Sequence, residues 1–236
     1  AEDNMAKYLL TEDQEGKSGY TFWKTLMSEL FPDINVVSKQ NNRGVLKAVK
    51  NIKYDDGNQY IVAFDQSFDN DQVIRETRKL FSYAKDKSNV YIMNIVSFEY
   101  ILLEFKKLVD WVFADDDDFR FQRSDLLKAR EMLIDAINTN EDYKAVPEIR
   151  KIFLQINEYN IEQFVSKLLY LITRNTGFEV TKGSLGICWR TDCCSFFNRQ
   201  PDDLCGLDKS RLPLHDKMLQ IVKNTGLQRE LSILEG

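Results

Sequence analysis

No apolar run in this chain approaches the roughly 20 residues that span a membrane, so a membrane partner is not expected. Nothing ahead of Met5 resembles the charged and apolar regions of a secretory signal, and the expected location is the cytoplasm. Excess positive charge is missing too: residues 1–119 carry a net −6 and residues 120–236 a net +1, giving −5 overall. A general electrostatic grip on nucleic acid is therefore not expected, and any such contact has to come from local basic patches or bridging metal ions. The glycine spacing of a phosphate-binding loop is absent around Gly16-Lys17-Ser18, which rules out nucleotide hydrolysis of that kind. Proline is scarce, at four residues, which suits a helical second half. Histidine occurs once, as His215, and all four cysteines fall within one stretch.

What is present is enough apolar material for a core, with 43% hydrophobic and 12% aromatic residues. The first half alternates short β-branched runs with helical periodicity. Tyr8-Leu9-Leu10-Thr11 reads as a first strand, and Ser18 to Phe31 as an amphipathic helix with Tyr20, Trp23, Met27 and Leu30 at helical spacing. Ile34-Asn35-Val36-Val37 gives a second strand and Val45, Leu46, Val49 and Ile52 a second helix. Tyr60 to Phe64 is the third strand, and a third helix runs from about Asn70 to Ala84. Asn89 to Val96 is the fourth strand, leading into one long helix whose apolar stripe runs from Phe98 to Val112. Strands alternating with helices through short loops predict an α/β fold with a mostly parallel sheet flanked by helices. The expected first domain spans residues 7–113. Asp115-Asp116-Asp117-Asp118 breaks the composition and reads as a solvated linker. Residues 119–236 form the expected second region, mainly helical over Ser124 to Asn138, Ala145 to Tyr159 and Ile161 to Thr173, with a Cys-rich loop segment at 186–207.

In this topology Glu12, Asp65 and Glu99 all fall at the carboxyl edge of the sheet, where open α/β sheets bind their ligands. Carboxylates from separate strand ends converging on one point are what Mg²⁺ or Mn²⁺ requires, since these ions take hard oxygen ligands and bridge substrate phosphates. A solvated acidic turn capping the following helix has the same composition as Asp65 to Asp71, so both readings stand. The order of elements and acids over about residues 7–113 resembles the Toprim fold, the catalytic domain of topoisomerases, primases and several nucleases. In that family a Glu follows the first strand and an Asp-x-Asp pair a later one. Glu12 after YLLT matches the glutamate, with Glu15 of the Glu15-Gly16 step as the alternative, and Asp65 after YIVAF matches the first aspartate. The second aspartate is replaced by Ser67, with Asp69 in the same loop to stand in for it. Ser97-x-Glu99-Tyr100 resembles a third acidic element of Toprim nucleases of the overcoming-lysogenization-defect type and related bacterial defence proteins. The resemblance implies a metal-dependent nuclease, bacterial or carried on a mobile element, with Glu12, Asp65, Asp69 and Glu99 as catalytic and Mg²⁺- or Mn²⁺-binding residues. The alternative it leaves open is a non-catalytic Toprim-like module that recognises a partner protein or nucleic acid.

Cys188, Cys193, Cys194 and Cys205 form the second constellation. Such density in a cytoplasmic chain favours metal over disulfides. A structural Zn²⁺ held by these thiolates, with His215 in reserve, stands beside a reading of plain buried thiols, because no C-x₂-C knuckle is present. The surrounding tail, with Arg190, Arg199, Lys209, Arg211, Lys217 and Lys223, is the candidate surface for nucleic acid or a protein partner.

Overall fold

In a computed structural model, residues 5–113, 117–191 and 212–234 are described. Four strands, β1 (Lys7–Thr11), β2 (Ile34–Ser38), β3 (Gln59–Ala63) and β4 (Val90–Ile92), form one sheet in the order β2-β1-β3-β4, every pair parallel. Between them run the crossover helices α1 (Ser18–Leu30), α2 (Asn42–Asn51) and α3 (Asp71–Ala84). The expected α/β class is what is found.

Alternation along the strands sorts the two faces. Leu9, Ile61 and Ala63 point to one side, where α1 buries Phe22, Trp23, Leu26 and Met27; each such side chain contributes about 1.5–3 kcal/mol of transfer free energy. Leu10, Val62 and Phe64 point to the other, against Val45 and Val49 of α2 and Val73 and Leu80 of α3. The α2 start depends on Gly44: a Cβ there would lie 1.9 Å from the Lys39 carbonyl oxygen.

The face carrying α1 is continued by the rest of the chain in one contiguous core. It comprises α4 (Phe98–Glu104), α5 (Leu108–Phe113), α6 (Asp117–Gln122), α7 (Ser124–Asn138), α8 (Pro147–Ile152), α9 (Ile161–Thr173), α10 (Leu214–Lys223) and α11 (Leu227–Leu231). Helix α9 packs against α4 and α7, and α10 against α1. Among the described residues no helix is long and apolar enough to cross a membrane.

Three sequence expectations are corrected here. The single helix expected from Phe98 to Val112 is two, broken at Phe105, whose ψ of 117° leaves the helical region. The buried Arg130 guanidinium takes up the carbonyls that the break releases, at 2.6 Å from Leu103 and 3.0 Å from Phe105. The helix expected over Ala145 to Tyr159 shrinks to α8 and flanking 3-10 turns: Pro147 holds Val146 in extended backbone at ψ 122°, and Phe153, at φ −119° and ψ 89°, ends the helix. Asp117, read as linker, opens α6.

Candidate acidic site

Strand order locates the crevice. The chain leaves β1 to build β2 on one side and returns to place β3 on the other, so the carboxyl ends of β1 and β3 meet where the connection direction reverses. Glu12 follows β1 by one residue and Asp65 follows β3 by two. They are joined directly: the Asp65 amide donates to Glu12 Oε1 at 2.7 Å.

The loop after β1 is held from several sides. Buried Thr11 donates from its hydroxyl to Asp13 Oδ2 at 2.8 Å and accepts from the Asp13 amide at 3.2 Å. Ser38, closing β2, donates to the Asp13 carbonyl at 2.6 Å. The Asp13 carboxylate rests on the first turn of α1 at Gly19, where a Cβ would fall 2.2 Å from Oδ1, so no larger residue fits beneath it without moving it. Glu99 sits in the first turn of α4, whose N-cap Ser97 accepts from the Tyr100 amide at 3.1 Å. Glu162 sits in the first turn of α9, fixed by the Asn160/Gln163 capping box.

Electrostatics bind these acids into one group. Burial pushes the Glu12 carboxyl up to about 8, with the charges of Asp13 and Glu162 adding to it and the Asp65 amide pulling the other way. Burial likewise lifts Glu99 to about 8, reinforced by Asp13 and Glu162. Asp65 is raised well above the carboxylate range by burial and then by Glu12, Asp13, Glu99 and Glu162. Burial also raises Asp13 and Glu162, the latter relieved by Lys182. Among the described residues no ion pair reaches any of the five. Glu99 is 8% exposed, and its Oε2 has no hydrogen-bond partner. Glu12, Asp13 and Asp65 remain half-buried, so the group is open to solvent above a buried floor. Among the described residues no three acidic, histidine or cysteine side chains are gathered tightly enough to chelate an ion as they stand, and mutual repulsion opposes such gathering.

Asp69, expected to stand in for a second aspartate, is engaged elsewhere. Its Oδ1 accepts from the Ile161 amide at 2.9 Å and the Ser67 hydroxyl at 3.2 Å, and its Oδ2 accepts from the buried Tyr143 hydroxyl at 2.6 Å with Lys144 Nζ at 3.5 Å. It clamps the loop after β3 to the start of α9. Glu15 is exposed beside Gly16, whose φ of 79° turns the chain into α1.

Asp13 and Glu162 join the site without having been marked in the sequence. Asp13 directly follows Glu12 and was legible by adjacency. Glu162 has the signature of any acid in a helix first turn, and only the packing of α9 on α4 brings it here.

Of the candidate zinc ligands, Cys193, Cys194 and Cys205 lie outside the described residues. Cys188 is half-buried in a 3-10 turn at Ile187–Trp189, and its carbonyl accepts from Lys217 Nζ. His215 Nδ1 lies 2.9 Å from the Glu29 carbonyl oxygen at the end of α1. Trp189 is core rather than a stacking surface: it is fully buried against Trp111 and Phe178, and its Nε1 donates to the Phe178 carbonyl at 2.8 Å.

Set against family models, curated proteins and solved structures, the chain matches none of them.

Proposed function

We propose that this chain is a divalent-cation-dependent hydrolase of nucleic-acid phosphodiesters, built on a Toprim-like sheet. The observation that carries the reading is the unpartnered, buried Oε2 of Glu99 in a group of five carboxyls that, among the described residues, has no ion-paired cation. Carboxyls raised together demand positive charge, and protons or a bound cation are the two ways to supply it. Carboxylate oxygens are the kind of donor that Mg²⁺ or Mn²⁺ takes, and binding would draw them closer together than they now stand. Glu12, Asp65 and Asp13 would hold such an ion, with Glu99 assisting from below. The chemistry such an ion would supply is polarisation of a phosphoryl oxygen and activation of water.

The chain's own residues contribute position and proton handling. The Asp65 amide fixes the Glu12 carboxyl in the crevice, so the donor nearest the switch point needs little reorganisation. Carboxyls lifted to about 8, as Glu12 and Glu99 are, would give up their protons to the solvent as the cation binds.

The test is cleavage of plasmid DNA and of structured RNA with Mg²⁺ or Mn²⁺, comparing wild type with Glu12→Gln/Asp65→Asn. Cleavage that needs the metal and vanishes in the folded variant supports the reading; equal cleavage by both sinks it. A second reading, a non-catalytic module for a partner protein or nucleic acid, draws on one specific observation: Ser67 replaces the second aspartate, and Asp69 spends both oxygens on the clamp to α9. Metal binding without cleavage of either substrate favours that reading.

A further inference from the structure

One turn beyond Glu162, α9 forms the wall of a cavity of about 380 Å³, within the usual range for ligand sites. Gln163, Lys167 and Tyr170 line it from one helical face, at spacings of four and three. The opposite wall is the tight turn at Thr181 and Lys182, closed by the Thr181 amide donating to the Ser184 carbonyl at 2.9 Å. That turn is tied to the acidic site's own scaffold, since Ser18 at the start of α1 donates to the Lys182 carbonyl at 3.2 Å. Lys182 faces both ways: it lines the cavity, and its charge acts on Glu162.

The lining pairs cations with aromatic faces. Lys167 Nζ donates to the Tyr159 hydroxyl at 3.0 Å and lies 4.8 Å from the centre of that ring, which holds the ammonium at the cavity edge. Tyr170 is 39% exposed although its helical neighbours Leu168 and Leu169 are fully buried. Among the described residues it makes no ring contact, so its face is available to a ligand. Two ammonium groups and an open aromatic face match the two parts of an unpaired nucleotide, phosphate and base. A duplex keeps its bases stacked on one another and offers this face nothing.

We infer that the α9 cavity is a binding subsite for single-stranded nucleic acid, in which a base stacks on Tyr170 while Lys167 and Lys182 meet the flanking phosphates. Tyr170 and Glu162 are eight residues apart, about 12 Å along the helix, so a strand seated here continues onto the acidic site. The inference rests on the hydrolase reading for its choice of nucleic acid as ligand.

The experiment is fluorescence anisotropy of labelled single-stranded DNA and RNA oligonucleotides of about twelve residues in EDTA, where no metal-dependent cleavage occurs. Wild type binds; Tyr170→Ala weakens binding about tenfold or more, as loss of one stacked base does, and Tyr170→Phe stays within about twofold of wild type. Lys167→Ala/Lys182→Ala weakens binding and lowers the slope of log K against log salt by about 1.4, the share of two phosphates on a single strand. The duplex of the same sequence binds more weakly. The inference is overturned if wild type does not bind, if Tyr170→Ala binds as wild type, if duplex binds equally, or if a mononucleotide competes as well as the oligonucleotide. Glu12→Gln/Asp65→Asn separates the two claims. Persisting cleavage in that variant removes the hydrolase reading and leaves the subsite result standing. Cleavage that depends on Glu12 and Asp65, together with cavity variants that bind normally, removes the subsite alone.

Discussion

Glu99→Gln should stabilise the metal-free protein at pH 8, although it alters a residue packed in the core. The wild-type carboxyl is 8% exposed, leaves Oε2 without a partner, and is lifted from an ordinary value near 4.5 to about 8. A shift of that size corresponds to roughly 5 kcal/mol at about 1.4 kcal/mol for each pH unit. Glutamine returns part of it, because burying an amide without full hydrogen bonding costs about 1–3 kcal/mol. The net gain expected at pH 8 is about 2–3 kcal/mol. Because the folded-state pKa is raised, the wild-type contribution is fully present below about 4.5 and is lost as pH rises through 8. In EDTA the wild type therefore weakens between pH 5 and 8, and the variant weakens less. Urea unfolding followed by circular dichroism at both pH values reads the difference directly, provided the slope m is unchanged. A variant no more stable than wild type at pH 8, with the same dependence on pH, would refute the claim that this carboxyl is held against its preference.

Two further outcomes follow from particular contacts. Asp69→Ala strips the buried Tyr143 hydroxyl and the Ile161 amide of their acceptor and should cost about 3–5 kcal/mol, with charged hydrogen bonds worth about 1.5–3 kcal/mol each. Tyr143→Phe should cost less, and a double-mutant cycle should show coupling of about 1 kcal/mol or more; additive effects would mean that the clamp is not a single unit. Gly19→Ala places a Cβ where the Asp13 carboxylate now rests, so Mn²⁺-dependent thermal stabilisation should fall while the metal-free melting temperature moves by only a few degrees. Unchanged stabilisation by Mn²⁺ would remove Asp13 from the site.

Much of the fold was legible because each strand is a short run rich in apolar residues and each crossover helix repeats at helical spacing. Three strands and the helices at Ser18–Leu30, Ser124–Asn138 and Ile161–Thr173 fall where pattern places them, while the fourth strand, expected over Asn89 to Val96, is only Val90–Ile92. The break at Phe105 was not legible: an uninterrupted apolar stripe reads as one helix, and the guanidinium that satisfies the freed carbonyls belongs to Arg130, 25 residues away in sequence. The acidic edge was half legible. Glu12, Asp65 and Glu99 follow strands, so topology alone sends them to one edge, whereas Glu162 arrives by tertiary packing and carries only the ordinary mark of a helix start. Asp69 shows the opposite difficulty, since proximity in the loop suggested the crevice and its hydrogen bonds run to α9.

The central claim is that Glu12, Asp13, Asp65 and Glu99 form one cation site, and calorimetric titration of Mn²⁺ at pH 7.5 in two buffers of different ionisation enthalpy tests it most directly. Raised carboxyls must give up protons when a cation binds, so wild type should bind Mn²⁺ with an apparent enthalpy that changes with buffer, and Glu12→Gln/Asp65→Asn should not bind. Absence of binding by wild type, or binding by the folded variant with the same affinity and proton release, would contradict the account.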